Sequence, residues 1–168
     1  SEIRTIGDSK NGNPDEDTAG GYVLQARVPD IDHKGFIFLN SRFTNGPGPL
    51  GNGVLDNSTY IARSGGSENY FDNITLINNR FDTHIADIGW AGEGVRDQPA
   101  PNPVTATANA GWREYGSMDL QGNALNLSTR ESAYLLTESD VSSLTTREAI
   151  FAHYDNDTGW QPSVPSDP

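Results

Sequence analysis

An internal repeat constrains the fold of this chain more than any other feature of its sequence. Residues 36–43 (FIFLNSRF) recur 38 residues later as residues 74–81 (ITLINNRF). Each copy has four strand-forming residues, then an Asn, one further residue and Arg-Phe. A unit of this length buries its apolar face by stacking on its neighbours. The sequence therefore predicts an all-β fold in which coils stack into a solenoid, the parallel β-helix.

Two asparagines occupy the same place in the two copies of the repeat. Stacking sets equivalent residues of adjacent coils about 4.8 Å apart. Asn40 and Asn78 are then expected to form a ladder at a turn, where amide side chains satisfy backbone groups and each other. This interpretation gives both residues a structural role.

The remaining segments divide a single domain, residues 1–168, into coils and a tail. Coils and loops are expected over residues 1–136, with irregular excursions at 45–58 and 91–110, and a bent or edge strand within 118–127. A Thr followed by acidic residues predicts a helix start at Thr137. Residues 137–168 should form a short helical and extended tail that covers the open last coil.

Composition narrows the classes of function. The chain is 34% hydrophobic with 18 Gly and 10 Pro, which suits short strands and many turns. Its formal net charge of -12 argues against nucleic acid or an anionic membrane as a partner. It has no cysteine, which excludes thiol nucleophiles and thiolate metal sites. No organic cofactor is implied, and the acidic surface suits a secreted, periplasmic or extracellular protein.

One polar loop carries a weak calcium signal. Asn11, Asn13, Asp15 and Asp17 alternate along it, and calcium is bound by six to eight hard oxygen ligands. The glycine and the distal bidentate glutamate of an EF-hand loop are absent from their places. The same spacing also fits an ordinary solvated turn, and no other metal site is expected.

An ordered series of segments resembles the pectin methylesterase (pectinesterase) family. Any single segment is short, and it is the order along the chain that carries the resemblance. The segments are residues 35–42 (GFIFLNSR), 60–63 (YIAR), 84–85 (HI), 89–90 (GW), 114–116 (EYG) and, after the helical tail, 160–162 (WQP). They span nearly the whole sequence.

The resemblance implies a right-handed parallel β-helix and an enzyme, a carbohydrate esterase that hydrolyses methyl esters of polygalacturonate. Family members use one aspartate as nucleophile and a second as general acid and base. Neither of their segments is found here, and Ser1 resembles the start of the strand that follows the second aspartate. The chain is therefore expected to be a fragment, the C-terminal coils of a hydrolase of pectin degradation and cell wall modification. Its expected partners are pectin and the missing N-terminal half.

The resemblance also supplies site residues. Arg63 matches the family arginine that orients the catalytic aspartate, and a guanidinium fork keeps such a carboxylate ionised. Ser64 and Gly65 stand where the family has Pro and a sugar-stacking Trp. Tyr60, Trp90 and Tyr115 are the expected substrate-binding residues, since an aromatic face suits the apolar face of a pyranose. His84 is expected to be a structural hydrogen-bonding residue.

Two alternatives remain open from the sequence. The departures at Ser64 and Gly65 favour a non-catalytic β-helix that binds glycans or serves as a structural module. A polyuronate lyase would need calcium and a basic residue, and the loop from Asn11 to Asp17 is its only support.

Overall fold

A computed structural model of the chain describes residues 1–8, 13–107, 109–152 and 159. Within them the regular structure is mostly short strands, and the two α-helices lie near the end. The strands are β1 (Glu2–Ile6), β2 (Tyr22–Leu24), β3 (Phe36–Leu39), β4 (Arg42–Gly46), β5 (Tyr60–Ala62), β6 (Ile74–Ile77), β7 (Arg80–Phe81), β8 (Trp112–Tyr115) and β9 (Met118–Asp119). The helices are α1 (Glu138–Val141) and α2 (Arg147–Phe151). None of the described helices has the length and apolar character needed to span a bilayer.

The strands form three parallel sheets that the chain visits in rotation. Their orders are β1-β4-β7-β9, β2-β5 and β3-β6-β8, and each strand pair is parallel. Between β7 and β8 the chain touches the second sheet again, where Ala91 forms a parallel bridge with Arg63. The fold is therefore a parallel β fold in which each return to a sheet adds the next strand, as the repeat predicts.

The register follows the repeat. Phe36 pairs with Ile74 and Leu39 with Ile77, the offset found in the sequence. The same offset continues into β8, where Ile74 pairs with Trp112. The sequence therefore contains a third copy of the unit, which its residue types conceal.

Equivalent residues after these three strands share an unusual backbone conformation. Asn40, Asn78 and Gly116 all have positive φ, at 50°, 54° and 65°. Asparagine and glycine are the residues that enter this left-handed region at least cost. The amide of Asn40 donates to the carbonyl of Ile77, and that of Asn78 to the carbonyl of Tyr115. The column thus turns the chain from the third sheet into the first in each coil.

The expected amide ladder is wrong in its detail. Asn40 and Asn78 are equivalent by position, but their contribution is the backbone turn. The side chain that satisfies backbone groups is the neighbouring Asn79, which is fully buried. Its Oδ1 accepts from the amide of Ser41 at 2.7 Å, and its Nδ2 donates to the carbonyl of Phe38 at 2.9 Å.

Aromatic stacking along the coils builds the core. Phe43 and Phe81 stack with ring centres 4.9 Å apart, and Trp90 and Trp112 stack at 5.1 Å. Tyr134 packs edge-on against Trp112 at 5.3 Å. Its neighbour Leu135 forms a bridge with Glu114 in β8, so this segment covers the last coil.

Residues 137–152, the continuous part of the tail that the structure describes, pack on the side of the coils. Both helices begin at a capping Thr, with Thr137 forming a capping box and the Thr146 side chain accepting from the amide of Ala149. They place Val141, Leu144 and Ile150 against the outer face of the β3-β6-β8 sheet. The described part of the tail thus covers the side of three coils, where Ile37, Leu39, Ile77 and Tyr115 pack against it. Residues 153–158 and 160–168 lie outside the described residues.

The first coil is poorly covered at its open end, on the side away from the second coil. Among the described residues β1, β2 and β3 are all edge strands. Phe36 faces the same way as its partner Ile74, yet it is 49% exposed while Ile74 is 0% exposed. Ile3 is likewise less buried than its partner Phe43. An apolar coil end with unpaired strand edges is a surface for further pairing.

The structure also describes the predicted bent or edge strand within residues 118–127 and the predicted excursion at residues 45–58. Strand β9 ends at Asp119, and a turn through Gly122, with φ of 93°, returns the chain to an antiparallel bridge between Met118 and Ala124. Residues 45–58 include the end of β4 and a bridge from Val54 to Thr18. The loops therefore remain attached to the coils.

Candidate functional site

Two tyrosines lie side by side on the outer face of the β2-β5 sheet. Tyr22 and Tyr60 are register partners, and their ring centres are 5.9 Å apart with the planes tilted by 32°. The next residue of β5, Ile61, is fully buried in the core. Because side chains alternate across a strand, Tyr60 points outward. The pair therefore forms an aromatic surface, which we call the tyrosine platform.

Arg63 follows β5 and reaches this platform. Its amide donates to the carbonyl of Leu24 at 3.3 Å, and its bridge with Ala91 fixes the backbone. The exposed guanidinium carbon lies 5.4 Å from the centre of the Tyr22 ring, within cation–π range. Among the described residues no carboxylate lies at ion-pair distance from Arg63.

A second arginine, which the sequence reasoning missed, reaches the platform from the excursion at 91–110. The guanidinium carbon of Arg96 lies 5.6 Å from the Tyr22 ring centre and 5.8 Å from that of Tyr60. Its Nη1 donates to the carbonyl of Gly20 at 3.5 Å. Tyr22 could have been found because it stands one repeat before Tyr60. Nothing in the sequence near Arg96 indicates where its loop returns.

The residues after Arg63 tie two loops together. Ser64 is buried and its Oγ donates to Oδ2 of Asp72 at 2.7 Å. The same oxygen accepts from the amide of Asn102 at 2.9 Å, which joins the excursion to the loop after β5. Burial raises the pKa of Asp72, and the hydrogen bond from Ser64 works against that rise. A Cβ at Gly65 would lie 2.6 Å from Nε2 of Gln25, so a side chain there requires Gln25 to move.

Trp90 is part of the core rather than of an open surface. It is 2% exposed, stacks on Trp112 and donates its Nε1 to Oε2 of Glu114 at 2.8 Å. Glu114 also accepts from Oγ of Ser117 and from Nε of Arg130. A ring this buried presents no face to a sugar, so the structure does not support Trp90 as a stacking residue.

Tyr115 lies on a different sheet from Tyr60. It belongs to β8 and packs, partly buried, with Ile77 and Val141. The structure therefore brings Tyr60 and Arg63 together at the platform and leaves Tyr115 under the tail.

Two side-chain oxygens of the proposed calcium loop accept hydrogen bonds from backbone amides. Asn11 lies outside the described residues. Oδ1 of Asn13 accepts from the amide of Asp15 at 3.1 Å, and Oδ1 of Asp17 accepts from the amide of Gly53 at 2.7 Å. Nowhere in the described ranges do three or more His, Cys, Asp or Glu side chains gather as metal ligands would.

His84 sits in the interior, as expected of a structural residue. It is 0% exposed, and its Nε2 lies 3.2 Å from Oγ1 of Thr5. Burial lowers the pKa of His84, and the charges of Asp82 and Asp56 oppose that shift.

Comparison with known proteins adds evidence on the fold. No protein-family model matches the chain, and no curated protein matches it in sequence. Among solved structures the chain is similar to pectin methylesterase from Yersinia enterocolitica, at 21% identity and a TM-score of 0.57. The match covers 92% of this chain and 46% of that one, so the chain spans about half the length of the structure it matches. The similarity supports a parallel β fold like that of this structure.

Proposed function

We propose that this chain forms C-terminal coils of a right-handed parallel β-helix of the pectin methylesterase type, which hydrolyses methyl esters of polygalacturonate. The single observation that carries the proposal is Arg63 beside the tyrosine platform, on a fold similar to that of the Yersinia enzyme. An aromatic surface with an unpaired guanidinium suits a polymer of acidic sugars. The proposal includes a secreted location.

Arg63 is the residue we assign to catalysis. Its guanidinium is exposed, with no carboxylate partner among the described residues, and its backbone is held by Leu24 and Ala91. A carboxylate brought to this position would accept two parallel hydrogen bonds and stay ionised, which a nucleophile requires. When that carboxylate attacks the ester carbonyl, the bond to methoxide breaks, methoxide takes a proton from the acid–base aspartate and leaves as methanol, and an acyl-enzyme forms. Water gives a proton to the same aspartate and attacks the acyl-enzyme, which yields the free uronate and the regenerated carboxylate.

The nucleophile and the acid–base aspartate are proposed to come from coils that pair with the first coil of this chain. The half-exposed Phe36 and the unpaired edges of β1, β2 and β3 support such pairing. Further coils would bury these apolar residues to the extent seen at Phe43 and Ile74, one coil along.

A second candidate function is a non-catalytic module that binds the polyuronate. The observation that favours it lies next to Arg63, where Ser64 is buried against Asp72 and Gly65 carries no aromatic ring. The tyrosine platform and its arginines can hold a uronate chain without performing chemistry on it.

Methanol release distinguishes the esterase from the non-catalytic binding module. The assay measures methanol release from methylated pectin by the longest polypeptide whose gene includes this chain. The variant is Arg63→Gln. The control is Arg42→Gln, which changes the charge equally but lies on the first sheet. The esterase predicts methanol from the parent and a loss of at least about 100-fold in Arg63→Gln, the size expected for a lost electrostatic contact in the transition state. Binding without methanol from the parent would reject the esterase and retain the module.

A further inference from the structure

The excursion at 91–110 holds Arg96 in a costly backbone conformation. Arg96 and Asp97 both have positive φ, at 51° and 57°. For residues other than glycine this region costs roughly 1–2 kcal/mol each. Such strain persists where surrounding structure imposes it, and it is concentrated at ligand clamps and active sites.

Several hydrogen bonds impose the conformation. The amide of Gly94 donates to the carbonyl of Gln98 at 3.0 Å, and that of Gln98 to the carbonyl of Val95 at 3.1 Å. Nε2 of Gln98 donates to the carbonyl of Arg96 itself at 2.9 Å. Further along, Asn102 is tied to Asp72. Arg96 is thus presented by a closed turn, and its position over the platform is set before any ligand arrives.

The charge distribution around Arg96 points to a negative ligand. The chain has 23 acidic residues against 11 Lys and Arg, so an exposed arginine has many possible partners. Arg96 and Arg63 nevertheless approach the same Tyr22 ring, at 5.6 and 5.4 Å, with no carboxylate at ion-pair distance in the described part of the chain. Both guanidinium groups therefore add positive potential around this ring, where an anion would be attracted.

We infer that Arg96 is a specificity-determining residue that binds the free carboxylate of a uronate unit lying on the tyrosine platform. This inference rests on the proposed function, in which Arg63 orients the catalytic carboxylate. Arg96 then binds a uronate unit that has already lost its methyl ester. A methyl ester carries no charge and accepts weaker hydrogen bonds than a carboxylate. Arg96 therefore selects polymer stretches that are partly de-esterified.

The test measures binding of the 168-residue chain to three oligosaccharides by calorimetry. The probes are unesterified trigalacturonate, its fully methyl-esterified form and a neutral cello-oligosaccharide. Arg96→Gln should bind the unesterified trimer about tenfold more weakly than the parent, the size of one lost charge-assisted contact, and the esterified trimer equally well. Arg96→Lys should recover part of the loss, because it keeps the charge without the planar fork. Arg42→Gln, with the same charge change on another sheet, should resemble the parent.

The outcomes distinguish the two levels of the argument. Binding of both uronate trimers that is unchanged in Arg96→Gln would overturn the role of Arg96 and leave the proposed function standing. Equal losses for both trimers would also overturn it, since they would show general binding rather than selection of the carboxylate. A chain that prefers the neutral oligosaccharide, or binds none of the three, would overturn this inference together with the polyuronate substrate class. Circular dichroism of each variant checks that the fold is intact.

Discussion

The buried ion pair between Arg130 and Glu114 offers the sharpest test of how the last coil is held. Nε of Arg130 lies 3.1 Å from Oε2 of Glu114, and the two side chains are 2% and 0% exposed. Nη1 of Arg130 also donates to the carbonyl of Ala86 at 2.8 Å and to that of Asp87. One side chain thus joins the carboxylate of β8 to the loop that precedes Trp90.

Replacing Arg130 by Met leaves this carboxylate buried without its cation. Removing one partner of a buried pair costs about 3–5 kcal/mol, and an orphaned buried carbonyl at Ala86 adds about 1–3 kcal/mol where water does not reach it. Hydrogen bonds from Trp90 and Ser117 to Glu114 remain and limit the loss. We therefore expect Arg130→Met to lower the free energy of unfolding by about 4 kcal/mol.

A double-mutant cycle isolates the charge effect. Glu114→Gln removes the charge while keeping an acceptor for Trp90 and Ser117. In Glu114→Gln with Arg130→Met, the buried charge is gone, so the double variant should be more stable than the sum of the single losses predicts, by about 2 kcal/mol. The same reasoning predicts a smaller loss for Arg80→Met, whose Nη1 donates only to the carbonyl of Leu120, at 3.4 Å.

Urea unfolding followed by tryptophan fluorescence measures all four variants, because Trp90 and Trp112 lie in this part of the core. A loss below about 1 kcal/mol for Arg130→Met, within the range of exposed pairs, would refute the reasoning. Additive single losses would refute it as well, since they would mean that the two charges do not interact.

Three further predictions concern the turns, the buried histidine and the coil end. Asn78→Ala should destabilise the chain by about 1 kcal/mol in urea unfolding while Asn78→Gly stays near the parent, because only alanine resists positive φ; equal losses would argue against the left-handed turn. Because the folded pKa of His84 lies below its unfolded value, the unfolded chain binds more protons between the two, so stability should be full above about pH 6.5 and fall as pH drops through the folded pKa. His84→Gln should flatten that dependence, and an unchanged pH profile of thermal unfolding would contradict it. Finally, Phe36→Lys should reduce the association that the exposed first coil promotes in sedimentation experiments, and a monodisperse monomer in the parent would contradict the expected pairing.

The repeat could be recognised in the sequence only where its copies use the same kinds of residue. Strands β3 and β6 each have four apolar or β-branched residues before Asn, so their register could be predicted. The third copy, β8, reads Trp-Arg-Glu-Tyr, and its charged residues hide the pattern. Glu114 can be buried there because Arg130 reaches it from sixteen positions along the chain. Local sequence does not reveal a partner that only the folded coils bring close.

The candidate site also includes residues that could be predicted from the sequence and residues that could not. Tyr60 begins β5 and Arg63 directly follows this strand, so the sequence could place the two residues close to each other. Arg96 depends on a loop closed by Gln98 and anchored through Asn102, which are contacts that periodicity does not report. Trp90 was predicted to bind sugar but lies in the core. A tryptophan is found both on sugar-binding surfaces and in cores, and Trp90 packs against Trp112 and Tyr134 in the core.

The overall charge bears on how a uronate polymer would meet the proposed site. A protein of net charge -12 repels a polyanion, and salt screens this repulsion beyond the Debye length, about 8–10 Å at physiological ionic strength. A methylated stretch carries little charge and approaches freely, whereas a de-esterified stretch gains attraction only within reach of Arg96. Attraction at Arg96 and repulsion from the acidic surface around it would together hold one free carboxylate at the platform and favour release of longer charged product. Added salt screens both effects, so it should weaken selection by Arg96 while easing access of charged polymer, and these opposite trends follow from the placement of a cation on an acidic surface.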